Sequence, residues 1–272
     1  MAGNFWTSSH CNLWLLEPSE LSYLEKTTFQ ILTKKEQEFY KIFIADIALL
    51  LGKRLNLRQQ IIATATVYSR RFYLKNNLDS CSPLLLVPTA LYLACKIEEY
   101  GVLSLRNLVS VVQNLARTEF SYLYLDYCIL TTQHILDCEF YLLEELNCHL
   151  IVYHPYRLLC FYCESLKVKE VIEISWYIVN DTYRSDIFLN YPPHMIALTA
   201  IYLSCILVGS IDKEEVRERF SDLSIEFEKV LIISRKLLEL YELWNSYDKK
   251  RIKEVMCKVL RPVVEDIQEK QS

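Results

Sequence analysis

Two ionisable residues stand where the surrounding pattern calls for apolar ones. In the stretch 127–147, Ile135, Glu139, Leu142 and Leu146 recur three and four residues apart, so a helix there turns Glu139 to the same side as its aliphatic neighbours. In 83–99, Leu85, Thr89, Tyr92 and Lys96 share a face in the same way, with Leu93 and Tyr100 beside the lysine. An unpaired charge on an apolar face costs several kcal/mol, so the economical arrangement is a Lys96–Glu139 pair. Pairing leaves capacity over, since an ammonium has three donors and a carboxylate about four acceptor sites. The spare sites could hold the backbone of a partner. The opposing reading is a purely internal salt bridge, or a lysine whose stem lies on the core with its amine in water. Spacing alone leaves both open.

Other residues that could do chemistry lack a complete setting. Cys160-x-x-Cys163 is a single pair on an expected helix, and a structural zinc normally takes four ligands. The five histidines show no metalloprotease spacing, and no glycine-rich phosphate loop occurs. Asn180-Asp181-Thr182 fits a glycosylation pattern, but on an expected intracellular helix it is read as chance. No catalytic residue, metal site or cofactor site is assigned.

The elements that must position Lys96 and Glu139 follow from apolar periodicity and its punctuation. Short helices are expected over 5–10 and 20–32, followed by 34–54, which ends on Lys53 and Arg54, charges that suit a helix C-terminus. Then come 57–76, 83–99 with Ser82 as cap and Pro83 in the first turn, 104–117 and 127–147. After an extended, β-branched stretch over 149–154, a second group of five is expected at 155–166, 169–187, 192–208, 212–220 and 224–246. Residues 248–272 are charged and carry a weaker stripe of Ile252, Val255, Met256 and Val259, read as a partly ordered tail.

Composition agrees with an all-α chain of two domains. The 272 residues suit two cores of roughly 100–150 residues each. Only four glycines occur, where an average protein has about 7%. The seven prolines, Pro88 among them, are read as lying in connections or first helical turns. A net charge of −4 gives no footprint for nucleic acid, which usually shows as a domain pI above about 9. The ten cysteines lie mostly in apolar helical patterns, which points to a reduced, intracellular setting. MAGNFWTSSH at the start has no secretory pattern. The longest apolar run, Met195 to Val208, falls short of the roughly 20 residues of a membrane span. A soluble protein without membrane, metal or direct nucleic-acid partners is expected.

The two groups of helices resemble each other. Ala90-Leu-Tyr-Leu-Ala-Cys95 matches Ala200-Ile-Tyr-Leu-Ser-Cys205 at constant offset, which suggests an internal duplication. At the positions of Lys96 and Glu99 the second copy has Ile206 and Gly209. The charges are therefore an addition to the first copy.

Two five-helix bundles, with Leu-Ala-Cys-Lys96-Ile-Glu98-Glu99 closing the third helix of the first and Glu139 in its fifth, resemble the cyclin family. At finer grain the segments LRQQIIATATVYSRRFY (57–73), ILDCEFYLLEELNC (135–148), LIVYHPYR (150–157) and WYIVNDTYRSD (176–186), with the N-terminal MAGNFWTSSH, resemble its transcriptional branch of the C type. The resemblance implies an N-terminal helical segment (1–33), a kinase-binding first cyclin box (34–148), a second box (149–247) and a charged tail (248–272). It also implies a nuclear, non-enzymatic subunit that activates a cyclin-dependent kinase of the Mediator complex and contacts other Mediator subunits.

In the family a lysine and a glutamate at these places grip the backbone beside the kinase's regulatory helix. The implied contact set is Lys96, Ile97, Glu99, Glu139 and Leu143, supported by Leu85 and Tyr100. Phe5 and Trp6 are either a lid on the chain's own surface or a further kinase contact. Trp176, Asn180, Asp181 and Tyr183, with Arg184, are either a groove for another subunit or an internal seam. Cell-cycle cyclins have aspartate where Tyr68-Ser69-Arg70-Arg71-Phe72 has Arg70, and their substrate-docking patch is missing from Tyr40-Lys-Ile-Phe-Ile. No arginine precedes Arg54, so an N-terminal destruction box is excluded. The alternatives are a double cyclin fold of the kind found in TFIIB-like general transcription factors, which would need a zinc ribbon and a basic surface, and a HEAT-like scaffold, which would need shorter and more numerous repeats.

Overall fold

A computed structural model describes residues 3–121, 130–209, 220 and 226–259, and no strand occurs among them. The helices are α1 (Ser9–Leu13), α2 (Pro18–Thr28), α3 (Lys34–Arg54), α4 (Gln59–Lys75), α5 (Pro83–Ile97), α6 (Leu105–Thr118) and α7 (Thr132–Glu145). They continue with α8 (Tyr156–Ser165), α9 (Ile172–Thr182), α10 (Ile187–Asn190), α11 (Pro193–Val208), α12 (Phe227–Trp244) and α13 over 249–259. Two compact units result: Pro18–Val152 with the chain from Tyr247 onward, and the residues up to Glu17 with Tyr153–Ser246. The stretch 1–33 is thus shared between the units at Glu17 and Pro18.

In the first of these units α5 is the central helix, packed against α3, α4, α6 and α7. Its Leu86, Ala90, Leu91 and Ala94 are fully buried, as an apolar helix in the middle of a bundle must be. Pro83 opens it at N1, where a missing N–H costs nothing. Ser82 does not cap through its side chain; its carbonyl instead accepts from Leu85 and Leu86 N–H. Pro88 lies inside the helix rather than in a connection or first turn. The ring is buried in the core, at the expense of a backbone hydrogen bond that it cannot donate.

Capping fixes the ends of these helices. Thr33 and Glu36 form a reciprocal capping box at the start of α3, and Lys53 and Arg54 occupy its last turn. Gly52 allows α3 and α4 to approach, since a Cβ there would collide with Ile62. α7 begins at Thr132, where Thr131 caps His134 N–H; residues 127–129 of the longer expected helix lie outside the described residues.

Tyr68, Arg70 and Arg71 of α4 are buried although polar or charged. Tyr68 donates to the Leu150 carbonyl at 2.5 Å and Arg71 to the His149 carbonyl at 3.2 Å, which holds the extended stretch after α7. Arg70, fully buried, reaches Glu25 of α2 at 3.4 Å, and buried Lys41 of α3 reaches the same carboxylate at 2.8 Å. Two interior cations thus share an anion from α2. α13 buries Ile252, Val255, Met256 and Val259 in this unit, so the expected weak stripe packs; residues 260–272 lie outside the described residues.

In the other unit α11 is central and touches α8, α9, α10 and α12. The single helix expected over 169–187 is instead a 3-10 turn at Lys169–Val171, α9, a tight turn and α10. Hydroxyls supply the reason: Thr182 donates to the Val179 carbonyl and Ser185 to the Thr182 carbonyl, drawing the backbone out of regular α geometry. Apart from buried Phe220, the helix expected at 212–220 and the residues 224–225 before α12 lie outside the described residues. The residues up to Glu17 belong to this unit. Leu16 N–H donates to the Leu189 carbonyl at 2.8 Å, and Tyr153 N–H donates to His10 Nδ1 at 3.0 Å.

Candidate functional site

The last turn of α5 and the middle of α7 bring Lys96 and Glu139 together. Lys96 Nζ donates to both carboxylate oxygens of Glu139, at 2.7 and 2.8 Å, and lies 4.2 Å from the centroid of the Tyr92 ring one turn earlier. The pair is asymmetric: the Glu139 side chain is 8% exposed and that of Lys96 46%. Glu139 shares its buried stripe with Ile135, Leu142 and Leu146, as its spacing predicts. Partial burial disfavours the Lys96 charge, but the hydrogen bonds and attraction from Glu139, helped by Tyr92, hold its pKa above the usual lysine value. One carboxylate is thus anchored below the surface while its ammonium faces outward with a free donor direction.

The segment after Lys96 is turned by a left-handed residue. Tyr100 N–H returns to the Cys95 carbonyl at 3.1 Å and Glu99 N–H to that of Lys96 at 3.3 Å, a Schellman closure with Glu99 at φ +51°. The matching residue in the second unit, Gly209, ends α11 with φ +64°. Both repeats demand the same backbone shape, and a residue that pays a steric cost stands in the first where glycine stands in the second. Glu99 is exposed, so its carboxylate is presented rather than used inside the fold. Neighbouring Glu98 turns inward and accepts from Gln60 Nε2 at 2.5 Å and Thr64 Oγ1 at 2.7 Å. Tyr100 donates to the Asn56 carbonyl at 3.0 Å, which ties the turn to the end of α3.

The remaining expected residues divide into near and far. Ile97 and Leu143 are partly buried beside the pair, Leu143 one turn beyond Glu139. Leu85 is partly buried three turns before Lys96, about 16 Å along the helix at 1.5 Å per residue. Periodicity did not single out Phe140, which is 74% exposed, or Val102, which is fully exposed. Phe140 stands with Leu136 and Leu143 at i, i+4 and i+7 on the outer face of α7. A large aromatic next to a buried charge was the available signal.

In the second unit, Phe5 packs edge-on against Trp6, His10 and Tyr153, while Trp6 lies 5.5 Å from the His194 ring and remains 61% exposed. Trp176 stacks on Tyr156 at 4.7 Å. Asn180 accepts from the Tyr156 hydroxyl, Asp181 pairs with Arg184 and accepts from Tyr241, and buried Tyr183 shares a hydrogen bond with His154. These polar groups are engaged within the unit, and Trp176 is the partly buried residue at their edge. Among the described residues no group of three or more His, Cys, Asp or Glu side chains is placed to hold a metal, and no helix is long and apolar enough to cross a membrane.

Two helical units, of which the first carries an outward lysine anchored on a buried glutamate, agree with the resemblance to cyclins. The family model "Cyclin, N-terminal domain" matches residues 13–151, and the chain belongs to the cyclin family. More particularly, it is 42% identical over 266 residues to Cyclin-C of Drosophila pseudoobscura pseudoobscura, covering 96% of this chain and 98% of that protein. It is 30% identical over 288 residues to the RNA polymerase II holoenzyme cyclin-like subunit of Yarrowia lipolytica, covering 96% of this chain and all of that one. Its fold is similar to a chain of the CAK complex of Chaetomium thermophilum, with TM-score 0.68 and 21% identity over 98% of this chain and 87% of that chain.

Proposed function

We propose that this chain is the activating subunit of a cyclin-dependent serine/threonine kinase, that the kinase is the one of the Mediator complex, and that the two act in the nucleus on RNA polymerase II transcription. The observation that carries the reading is the Lys96–Glu139 pair, anchored on one side and open on the other, in the first box and not in the second. The relatives named Cyclin-C and RNA polymerase II holoenzyme cyclin-like subunit support the transcriptional assignment.

Such a subunit works by position. A kinase is active when its own lysine–glutamate pair is closed and its activation segment is placed, both of which follow the regulatory helix. A cyclin that binds the active placement more tightly shifts the population towards it by its difference in affinity. In this chain Lys96 and Glu139 would fix the backbone beside that helix, Glu99 would offer a second anionic contact, and Ile97, Leu143 and Phe140 would supply apolar area. Leu85 and Tyr100 would support the edge, and Trp6 would add a contact from the N-terminal segment.

Co-expression of the full chain with Mediator-type and other cyclin-dependent kinases, followed by purification and a peptide phosphorylation assay, tests this. The expected result is a stable, active complex with the Mediator kinase that Lys96→Ala and Glu139→Ala each disrupt. Preference for a different kinase, or intact binding and activation in both variants, would overturn the assignment.

A further inference from the structure

Two buried thiols lie beside the pair and take no part in it. Cys138 immediately precedes Glu139 in α7, and Cys81 sits in the connection before α5, with their sulfurs 3.9 Å apart. We propose that Cys81 and Cys138 form a reversible disulfide under a two-electron oxidant of the peroxide class, a modification site that cross-links α7 to the approach of α5.

Geometry makes this pair unlike the other described cysteines. Cys95, Cys163 and Cys205 are buried, and burial pushes Cys95 up to about 11 and Cys163 up to about 12, as for inert core thiols. Cys148, Cys160 and Cys257 are exposed, and none has a partner sulfur among the hydrogen-bonded pairs. The Cys81 and Cys138 sulfurs lie within hydrogen-bond distance of each other, and either thiol can donate. That contact lowers the Cys138 pKa against the opposing effect of burial, while the same contact and burial raise that of Cys81. The roles follow: Cys138 attacks and Cys81 resolves. Closing from 3.9 Å to the about 2.0 Å of a disulfide requires the two sulfurs to approach by about 2 Å. The residues are 8% and 7% exposed, which admits a small oxidant and disfavours a bulky one.

The reaction balances without any further reagent. Cys138 loses its proton, its sulfur attacks one peroxide oxygen, the O–O bond breaks, and hydroxide leaves to take up that proton as water. The resulting sulfenic acid is attacked by the Cys81 sulfur; the S–O bond breaks, and the oxygen leaves with the Cys81 proton as a second water. Two thiols are oxidised by two electrons to one disulfide, and one peroxide is reduced to two waters.

The test is peptide mapping of the full chain without reductant after brief hydrogen peroxide treatment. The expected product is a Cys81–Cys138 linked peptide that dithiothreitol reverses, and an oxidised chain that melts several degrees above the reduced one because a long loop is closed. In Cys81→Ser the link is lost and Cys138 gains oxygen; in Cys138→Ser the link is lost and Cys81 remains a free thiol. Oxidation confined to Cys148, Cys160 and Cys257, with Cys81 and Cys138 recovered as thiols after unfolding, would overturn the proposal. Oxygen on Cys81 in Cys138→Ser would overturn the assigned order of attack. Mapping the unsubstituted chain decides the main point even if a serine variant folds poorly.

Discussion

Removing either member of the Lys96–Glu139 pair should have unequal effects on the free chain and equal effects on the complex. Lys96→Ala leaves a carboxylate that is 8% exposed with neither of its hydrogen bonds from the ammonium. A stranded buried acceptor costs about 1–3 kcal/mol, more when charged. Glu139→Ala frees an ammonium that is 46% exposed and can turn to water, where a half-exposed pair is worth only about 0–1 kcal/mol after screening. Lys96→Ala should therefore destabilise the isolated chain by about 1–2 kcal/mol more than Glu139→Ala. Urea melts at pH 7.5 measure this. Lysine is fully charged there: with its folded pKa raised, the stabilisation it gives is complete below the ordinary value of 10.5 and is lost as pH rises through the higher folded value. Under the proposed contact both groups would be covered by the kinase, and each truncation should cost about 2–5 kcal/mol of affinity. Equal losses of stability, or a larger loss for Glu139→Ala, would refute the reasoning from exposure. Unequal losses of stability with unchanged kinase affinity would refute the site instead.

Three further outcomes are expected. Glu99→Gly should stabilise the free chain by about 0.5–1 kcal/mol by relieving the left-handed strain, and should weaken kinase binding measured by calorimetry. Glu25→Ala should cost about 1.5–3 kcal/mol in a denaturant melt, since buried Lys41 and Arg70 lose a shared carboxylate while Lys41 keeps its pair with Glu38 at 2.6 Å, and adding Arg70→Met should recover part of that loss. Glu36 lies below the usual carboxylate value because, although burial raises it, Lys258 and Thr33 outweigh that effect. Its contribution is present above pH 4.5 and is lost as pH falls through its lower folded value, so Glu36→Gln should flatten that part of the stability profile in acid melts.

Much of the architecture was legible because helices announce themselves locally. The apolar stripe of α7, the Pro83 start of α5 and the Lys53–Arg54 end of α3 depend on residues within a turn or two of each other. The break between α9 and α10 escaped the periodicity because apolar spacing continues through it, while the hydroxyls of Thr182 and Ser185 redirect the backbone. Pro88 was misplaced for the opposite reason, since a local rule against proline in helices yields when the surrounding core buries the ring.

The sequence by itself determined that two charges stood on apolar faces and that the chain was helical with a repeated segment. Those conclusions rest on residue type and period, which are properties of short segments. Tertiary structure decided what depends on distance between segments remote in the chain. It showed that Glu139 is the buried partner and Lys96 the exposed one, that Glu25 serves the interior cations, and that Cys81 faces Cys138. Period fixes the face on which a side chain lies, but only packing fixes what that face meets.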